Sequence, residues 1–321
     1  MTSLAVSDAE YRAATEGCGL LDRSERGKLA LSGGGAKEFL QGQVSNDVEA
    51  LAPGHGCYAA LLTPKGKMIA DLRILDAGDE LLLDTERVAL QELFNVLRRF
   101  SLGYDATLHK RTLERGLLSL VGPDVAALLG EAVAGLGPDE HDHAARDVLG
   151  VPARAIRTDL GVDLLCDAQD TERLAAALHD AGAVTISEAT AETLRVERGR
   201  PRYGVDLDDT VIPQEASLNA RAVSFTKGCY VGQETVARLH YRGKPNRSLR
   251  GLRLAEPAAR GAEITFEGRI VGRLGSVAQS PALGTIGLAL VRREAPPGSP
   301  VRVGGEDESV EAVVVELPFG A

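Results

Sequence analysis

Short apolar runs alternate with amphipathic stretches over the first 110 residues of the chain. Ser7-Asp8-Ala9-Glu10 has the form of a capping box and predicts the start of the first helix. Runs that alternate in polarity predict strands, and apolar residues three and four apart predict helices. The predicted elements are a helix from Asp8 to near Gly17 or Gly19, a strand at 28–31, a helix at 36–43, strands at 57–62, 68–75 and 80–83, and an amphipathic helix after Thr85.

The same alternation restarts after about residue 112. Pro123 fits the first position of a short helix, and Asp170 fits the cap of a longer one. The predicted elements here are a strand at 116–121, a helix ending near Gly130, a surface loop at 131–146, a strand at 160–166, a helix ending at Gly182 and a final helix at 187–198.

The last 75 residues show no long helical pattern. Six short apolar runs lie between glycine and proline turns and predict a small antiparallel barrel or sandwich. These runs are 249–254, 263–266, 270–274, 286–291, 301–303 and 310–317. The boundary before them is placed at Gly243-Lys244-Pro245.

Composition and charge exclude several classes of protein. The 321 residues carry 36 basic and 46 acidic side chains, a net charge of −10, so no stable nucleic-acid binding is expected. No window approaches 18 apolar residues, and the N-terminus lacks a signal peptide, so no membrane association is expected. The four cysteines are widely spaced, which favours free thiols in a reducing, cytoplasmic environment.

Three familiar ligand motifs are incomplete or weak in this sequence. Gly66-Lys67 lacks the rest of a phosphate-binding loop, and the glycines at 33–35 lack the third glycine of a dinucleotide fingerprint. The run 141–143, His-Asp-His, could hold a metal, but its position beside acidic loop residues favours a solvated loop. No metal site is therefore predicted.

The run 227–234, Lys-Gly-Cys-Tyr-Val-Gly-Gln-Glu, stands apart from the rest of the chain. Two glycines bracket Cys229 and Tyr230, and glycine permits positive φ and close approach of another chain segment. If the positive charges of Lys227 and Arg238 lie near the sulfur, they would lower the pKa of Cys229 and make it more reactive. The alternative is an inert, buried cysteine in a tight turn.

Local charge adds a second signal around this run. Residues 198–250 contain ten basic and five acidic side chains, so this segment is positive within an acidic chain. The segment is either an anion site, for a polycarboxylate tail or for RNA phosphates, or a set of scattered, solvated arginines.

The chain resembles a known family. The run 227–234 resembles the signature of the YgfZ folate-binding proteins, which are relatives of the glycine-cleavage T-protein, an aminomethyltransferase. Further segments match in the same order along the chain, so the resemblance covers nearly all of it. These segments are 39–47, 62–72, 194–199, 203–206 and 212–216.

The resemblance implies an α+β fold in which three domains form a cloverleaf around a central opening. It implies a first, folate-binding domain of residues 1–112 plus 191–245. The second, α+β domain is 113–190, and a small antiparallel β-barrel occupies 246–321. The ligand it implies is tetrahydrofolate or a one-carbon-substituted form.

The resemblance also assigns residues and partners. It makes Cys229, Lys227 and Tyr230 the activity-linked residues. It places Asp71, Arg195 and Glu197 along the folate site, and Asn46, within the 39–47 segment, is assigned to the same site. The partners it implies are folate and iron–sulfur client or assembly proteins, including an enzyme that modifies tRNA.

Two departures separate the chain from the T-protein pattern. The T-protein has two adjacent acids where this chain has Ala70-Asp71, and 157–163 lacks a glutamate that contacts the pterin there. The main expectation is a tetrahydrofolate-binding protein that assists iron–sulfur cluster assembly or repair. A folate-dependent aminomethyl or one-carbon transferase with Asp71 as its acid, and a ligand-free interaction scaffold, stay open as alternatives.

Overall fold

The computed structural model describes residues 6–305 and 308–319. Most of its helices lie at stretches predicted to be helical, but the short helix Asn219–Ala222 was not predicted. The helices are α1 (Asp8–Glu16), α2 (Ala36–Gln43), α3 (Leu90–Phe100), α4 (Val125–Leu129), α5 (Thr171–Asp180), α6 (Glu188–Glu197), α7 (Asn219–Ala222) and α8 (Gln233–Arg242). Two short 3₁₀ helices, Gly130–Ala132 and Ala168–Asp170, adjoin α4 and α5.

The strands make up three sheets. In chain order they are β1 (Gly19–Asp22), β2 (Gly27–Ser32), β3 (Gly56–Leu62), β4 (Met68–Asp76), β5 (Glu80–Thr85), β6 (Thr107–Lys110), β7 (Arg115–Val121), β8 (His143–Val148), β9 (Val151–Arg157), β10 (Gly161–Asp167), β11 (Val184–Thr185), β12 (Arg247–Leu254), β13 (Glu263–Phe266), β14 (Arg269–Ser280), β15 (Gly284–Arg292), β16 (Pro300–Val303) and β17 (Val310–Val315). The α+β class is confirmed.

The chain divides into two compact units. The two-sheet unit contains Arg12–Ile186 and Asn219–Gln233, and the barrel unit contains the residues up to Tyr11, Ser187–Leu218 and the residues from Glu234 onward. The three-domain boundaries implied by the family resemblance stay a prediction.

The first sheet of the two-sheet unit has the order β3-β4-β5-β2-β6. Residues alternate between its faces, so β4 presents Ala70, Leu72 and Ile74 on one side. Helix α3 packs on β4 and β2, and its buried Leu93 and Leu97 lie one turn apart. The opposite face of β4 carries polar residues that belong to the candidate site.

The second sheet of this unit has the order β11-β1-β7-β10-β9-β8. The prediction of a surface loop over 131–146 was wrong at its end, because β8 begins at His143 and pairs with β9. Neither β8 nor β9 was predicted. In β9, Ala153, Ala155 and Ile156 are buried, but alanine, arginine and proline are weak strand signals in a single sequence.

The barrel unit closes its six strands into one antiparallel barrel in the order β12-β15-β14-β13-β16-β17. The first and last strands, β12 and β17, pair with each other and close it. Alternate residues of β17, Ala312 and Val314, point into a core that also contains Leu252, Ile264 and Val303. The prediction of a small C-terminal antiparallel barrel is confirmed.

Helix α1 begins at Asp8 as predicted, but the capping box does not form there. The Glu10 carboxylate instead accepts hydrogen bonds from the backbone and hydroxyl of Ser187 and from the Thr190 hydroxyl, at the start of α6. Ser187 caps α6 and lowers the pKa of Glu10 through these bonds. The acidic residue therefore stabilises the N-terminus of a distant helix.

Candidate functional site

Asp71 and Tyr58 form a hydrogen-bonded pair on the polar face of the five-stranded sheet. Tyr58 of β3 pairs across the ladder with Arg73 of β4, and Asp71 lies two residues before Arg73. Tyr58 and Asp71 are therefore diagonal neighbours on one face. The Tyr58 hydroxyl donates to Asp71 Oδ2 at 2.6 Å, and no other side chain among the described residues donates to this carboxyl group.

Burial makes Asp71 an unusually weak acid. Asp71 is only 6% exposed, and desolvation raises the pKa of its carboxyl group to about 6, although the Tyr58 hydrogen bond acts in the opposite direction. Burial also raises the pKa of Tyr58 well above its ordinary value, so the hydroxyl stays protonated and remains a donor. This pair can therefore take up and release a proton near neutral pH at a fixed position.

Two arginines neutralise the other acids next to Asp71. Arg73 bonds both Asp84 and Asp163, the latter at 2.7 Å, and Arg26 also bonds Asp84. Burial alone would raise the pKa of Asp84, but Arg73 and Arg26 outweigh it and hold that pKa well below its usual range. Asp84 thus stays ionised, whereas burial raises the pKa of Asp71 toward neutrality.

Asn46 forms hydrogen bonds to the backbone next to the Asp71–Tyr58 pair. Its side-chain amide donates to the backbone carbonyls of Tyr58 at 2.8 Å and of Arg221 at 3.2 Å. The guanidinium of Arg221 lies 5.0 Å from the centre of the Tyr58 ring and also bonds Glu140. Asn46, which was predicted to bind folate, therefore fixes the backbone around Tyr58 through its amide group.

Sequence reasoning missed Tyr58 and Arg221 as members of this site. Tyr58 could have been found, because it is the polar residue of a predicted strand next to the strand of Asp71. Arg221 could not, because it lies 163 residues after Tyr58 and nothing in its own segment indicates the contact.

Lys227 binds backbone oxygens. Its ammonium donates to the carbonyl oxygens of Gln41, Val44 and Asn46 at 2.6, 2.8 and 2.7 Å. Burial lowers the pKa of Lys227 to about 8. The ring of Tyr230 lies beneath this ammonium, 5.2 Å from the nitrogen to the ring centre. Lys227 therefore attaches the cysteine run to the turn that follows α2.

Cys229 is an exposed free thiol two residues after this attachment. Tyr230 beside it is 7% exposed, and burial raises its pKa to about 12. Of the two bracketing glycines, Gly232 has φ +86°, and a side chain there would meet the Thr63 carbonyl oxygen at 2.6 Å. Gly228 has open space around it and no positive φ. The backbone geometry therefore requires glycine at position 232 and not at position 228. The buried-cysteine alternative is wrong for Cys229.

Arg195 and Glu197 lie in the barrel unit, on α6. Arg195 binds Asp206 at 3.0 Å, Glu192 at 2.7 Å and the Ser276 hydroxyl at 2.6 Å. Glu197 accepts hydrogen bonds from Tyr11, at 2.9 Å, and from Ser280. Both side chains therefore hold α6 to neighbouring segments of this unit, including β14, and their assignment to a folate site stays a prediction.

The His141-Asp142-His143 run is buried, so the expectation of a solvated loop was wrong. His141, Asp142 and His143 are 8%, 3% and 3% exposed. Asp142 accepts a hydrogen bond from the backbone of Asp139 and contacts His55 Nδ1 at 2.7 Å. Burial lowers the pKa of both His141 and His143 to about 4. Across residues 6–305 and 308–319, no cluster of three or more His, Cys, Asp or Glu side chains could hold a metal ion.

The positive stretch at 198–250 is largely compensated by acids. Its arginines pair with carboxylates that lie both inside and outside the stretch, so the sequence count overstates the local positive charge. The ion pairs are Arg202–Glu188, Arg202–Glu192, Arg221–Glu140, Arg247–Glu215 and Arg250–Glu316.

Comparison with known proteins places the chain in a family. The GCVT N-terminal domain matches residues 2–227, and the glycine cleavage T-protein C-terminal barrel domain matches residues 247–320. The chain belongs to this glycine cleavage T-protein family. In the part of the chain that the structure describes, no helix is long and apolar enough to cross a membrane.

Curated relatives agree with this family, and a solved structure shares the fold. An aminomethyltransferase from Geobacillus kaustophilus is 30% identical over 327 residues, which cover 97% of this chain and 89% of the relative. One from a Nostoc species is 29% identical over 332 residues, 97% of this chain and 86% of the relative. The crystal structure of glycine cleavage system aminomethyltransferase T from Bartonella henselae has a TM-score of 0.87 and 24% identity, covering 97% of this chain and 88% of that one. The predicted T-protein fold is confirmed.

Proposed function

We propose that this protein binds tetrahydrofolate and catalyses a folate-dependent one-carbon transfer, with Asp71 as its central acid–base group. The observation that carries the proposal is the buried Asp71–Tyr58 pair, whose carboxyl group has a pKa of about 6. The similarity to aminomethyltransferases over 97% of the chain supports it.

The donor set suits a reduced pterin. A pterin ring presents N–H donors, and a buried carboxyl group that receives a single side-chain hydrogen bond retains acceptor capacity for such donors. Tetrahydrofolate, when bound, supplies the two nitrogens that accept the one-carbon unit, one in the pterin ring and one just outside it. The amine that leaves the donor must take up a proton, and Asp71 can hold that proton near neutral pH while Tyr58 fixes its position.

Titration with tetrahydrofolate, followed by an assay for transfer, tests this proposal. We expect saturable binding at pH 7 and formation of methylene-tetrahydrofolate when an aminomethyl donor, whose carbon is already at the methylene oxidation level, is added. Binding without transfer would contradict the transferase proposal and leave a folate-binding protein. Absence of binding would contradict the proposal and favour the ligand-free scaffold.

A second candidate is assistance to iron–sulfur enzymes, as in the YgfZ group. The observation that favours it is the exposed Cys229 thiol, which lies between Lys227, hydrogen-bonded to backbone carbonyls, and the positive-φ Gly232. One cysteine supplies too few ligands for a stable cluster, so any cluster contact would be shared with a partner or a small thiol.

Cys229→Ala tests the second candidate in cells that lack the native protein. If the thiol acts on clusters, the variant should fail to restore iron–sulfur enzyme activities that the wild-type protein restores. Cys166→Ala is the matched control, because Cys166 is a buried thiol in β10. Full restoration by Cys229→Ala would contradict this role.

A further inference from the structure

We infer that the two-sheet unit contains a second binding site, between α3 and the edge strand β6, for a small anion with an aromatic or aliphatic body. The cavity has a volume of about 340 Å³. That volume lies within the range of about 300–1,000 Å³ that is usual for small-molecule sites. Asp71, Lys227 and Cys229 do not line it, so the inference is independent of the proposed function.

The wall of this cavity is apolar. Leu29 of β2 and Leu90 and Phe94 of α3 form it, and Leu113 lies at its rim. The Leu113 side chain is 87% exposed, the largest exposed fraction among the large hydrophobic residues that the structure describes. A ligand with an apolar body would cover Leu113 and the accessible part of Phe94, which gives a hydrophobic contribution to binding.

The charges at the cavity are positive and uncompensated. Arg87 and Lys110 both line it and are both exposed. Neither side chain forms an ion pair or a hydrogen bond within the described residues, and the contact of Lys110 is with the Phe94 ring, 4.4 Å from the nitrogen to the ring centre. The one acid in the lining, Glu114, is held by Arg111 at 2.7 Å.

These features define the chemistry of the ligand. Two unpaired cations beside an aromatic ring favour one carboxylate, sulfonate or phosphate group attached to an apolar body. An ion without such a body would leave the apolar wall uncovered, and a neutral hydrophobic molecule would leave both cations without a partner. The site therefore takes amphiphilic anions in preference to either.

Fluorescence titration with 1-anilinonaphthalene-8-sulfonate tests the inference, because this probe combines an aromatic body with one sulfonate. The double variant Arg87→Gln/Lys110→Gln should bind the probe about tenfold more weakly than the wild-type protein, because both charged contacts are lost. The matched control is Arg98→Gln/Arg99→Gln, which removes two positive charges from the exposed end of the same helix. We expect this control to bind the probe as the wild-type protein does.

Two further measurements distinguish binding of the probe at this site from its nonspecific binding to the protein surface. The neutral analogue N-phenyl-1-naphthylamine should bind more weakly than the sulfonate, and the double variant should remove most of that difference. Equal loss of affinity in the test and control variants, or no loss in either, would overturn the inference. The melting temperature and the tetrahydrofolate affinity of the double variant should match those of the wild-type protein. A loss of probe binding in this variant is then distinct from a failure of the proposed function.

Discussion

Replacing Asp71 with asparagine should abolish one-carbon transfer and weaken tetrahydrofolate binding about 100-fold. Asparagine keeps the size of the side chain and can still accept the Tyr58 hydrogen bond, but it cannot ionise or carry a proton. A charge-assisted hydrogen bond contributes up to about 3 kcal/mol, which corresponds to roughly 100-fold in affinity. Calorimetric titration of both proteins with tetrahydrofolate at pH 7.5 measures the change.

The pH dependence of stability provides an independent check on Asp71. Its folded-state pKa, about 6, lies above the unfolded value of 3.8, so the folded protein binds this proton more tightly. The protonated carboxyl group therefore favours folding below pH 4, and this contribution is lost as the pH rises through 6. Asp71→Asn should be more stable relative to wild type at pH 8 than at pH 4.5, by an amount on the order of 1–2 kcal/mol.

Tyr58→Phe is the matched control for both measurements. It keeps the carboxyl group and removes the hydrogen bond that lowers the pKa of Asp71, so that pKa should rise further. The pH below which tetrahydrofolate binding weakens should then be higher than in the wild-type protein. Binding should be retained at pH values at which Asp71 is ionised. The role of Asp71 would be contradicted if Asp71→Asn bound folate like wild type, or if its relative stability did not change with pH.

The order of strands could be predicted from the sequence wherever a short run of residues by itself shows the pattern of a strand. Strands β3, β4 and β5 were predicted nearly at their observed bounds, because each is an apolar run between turn residues. The six barrel strands were predicted for the same reason. Strands β8 and β9 were not, because Val148, Val151 and Ala155 are buried in a cluster with residues from distant segments of the chain, which their own local pattern does not show.

The candidate site depended on contacts that no local pattern encodes. Asp71 was identified through a family resemblance, and its weak acidity depends on burial and on Tyr58. The ten basic residues of the 198–250 stretch left either an anion site or scattered, solvated arginines open, and the structure pairs Arg221 and Arg250 with Glu140 and Glu316. Charge counted along a segment therefore predicts surface potential poorly when the partner charges come from distant positions.

Lys227 is another residue for which the sequence motif suggests one role and the observed contacts favour a different one. A lysine two residues before a cysteine suggests an activating charge, because a nearby cation stabilises a thiolate. The structure places its ammonium on three carbonyl oxygens between Gln41 and Asn46, so its measurable contribution should be to folding. Stability and thiol reactivity can be measured separately, which makes the two roles distinguishable.

Lys227→Met should lower the free energy of unfolding by about 3 kcal/mol, because each of three carbonyl oxygens loses its donor at a cost of about 1 kcal/mol. Urea unfolding measures this loss, and Lys65→Met, an exposed lysine of the same unit, is the control and should change stability by less than about 0.5 kcal/mol. Below the unfolding transition, the alkylation rate of Cys229 at pH 7 should stay within about twofold of wild type. The opposite result, unchanged stability with strongly slowed alkylation, would show that Lys227 activates the thiol. The three short ammonium–carbonyl contacts favour the first result, because they use all three N–H donors of the ammonium and leave none for a thiolate.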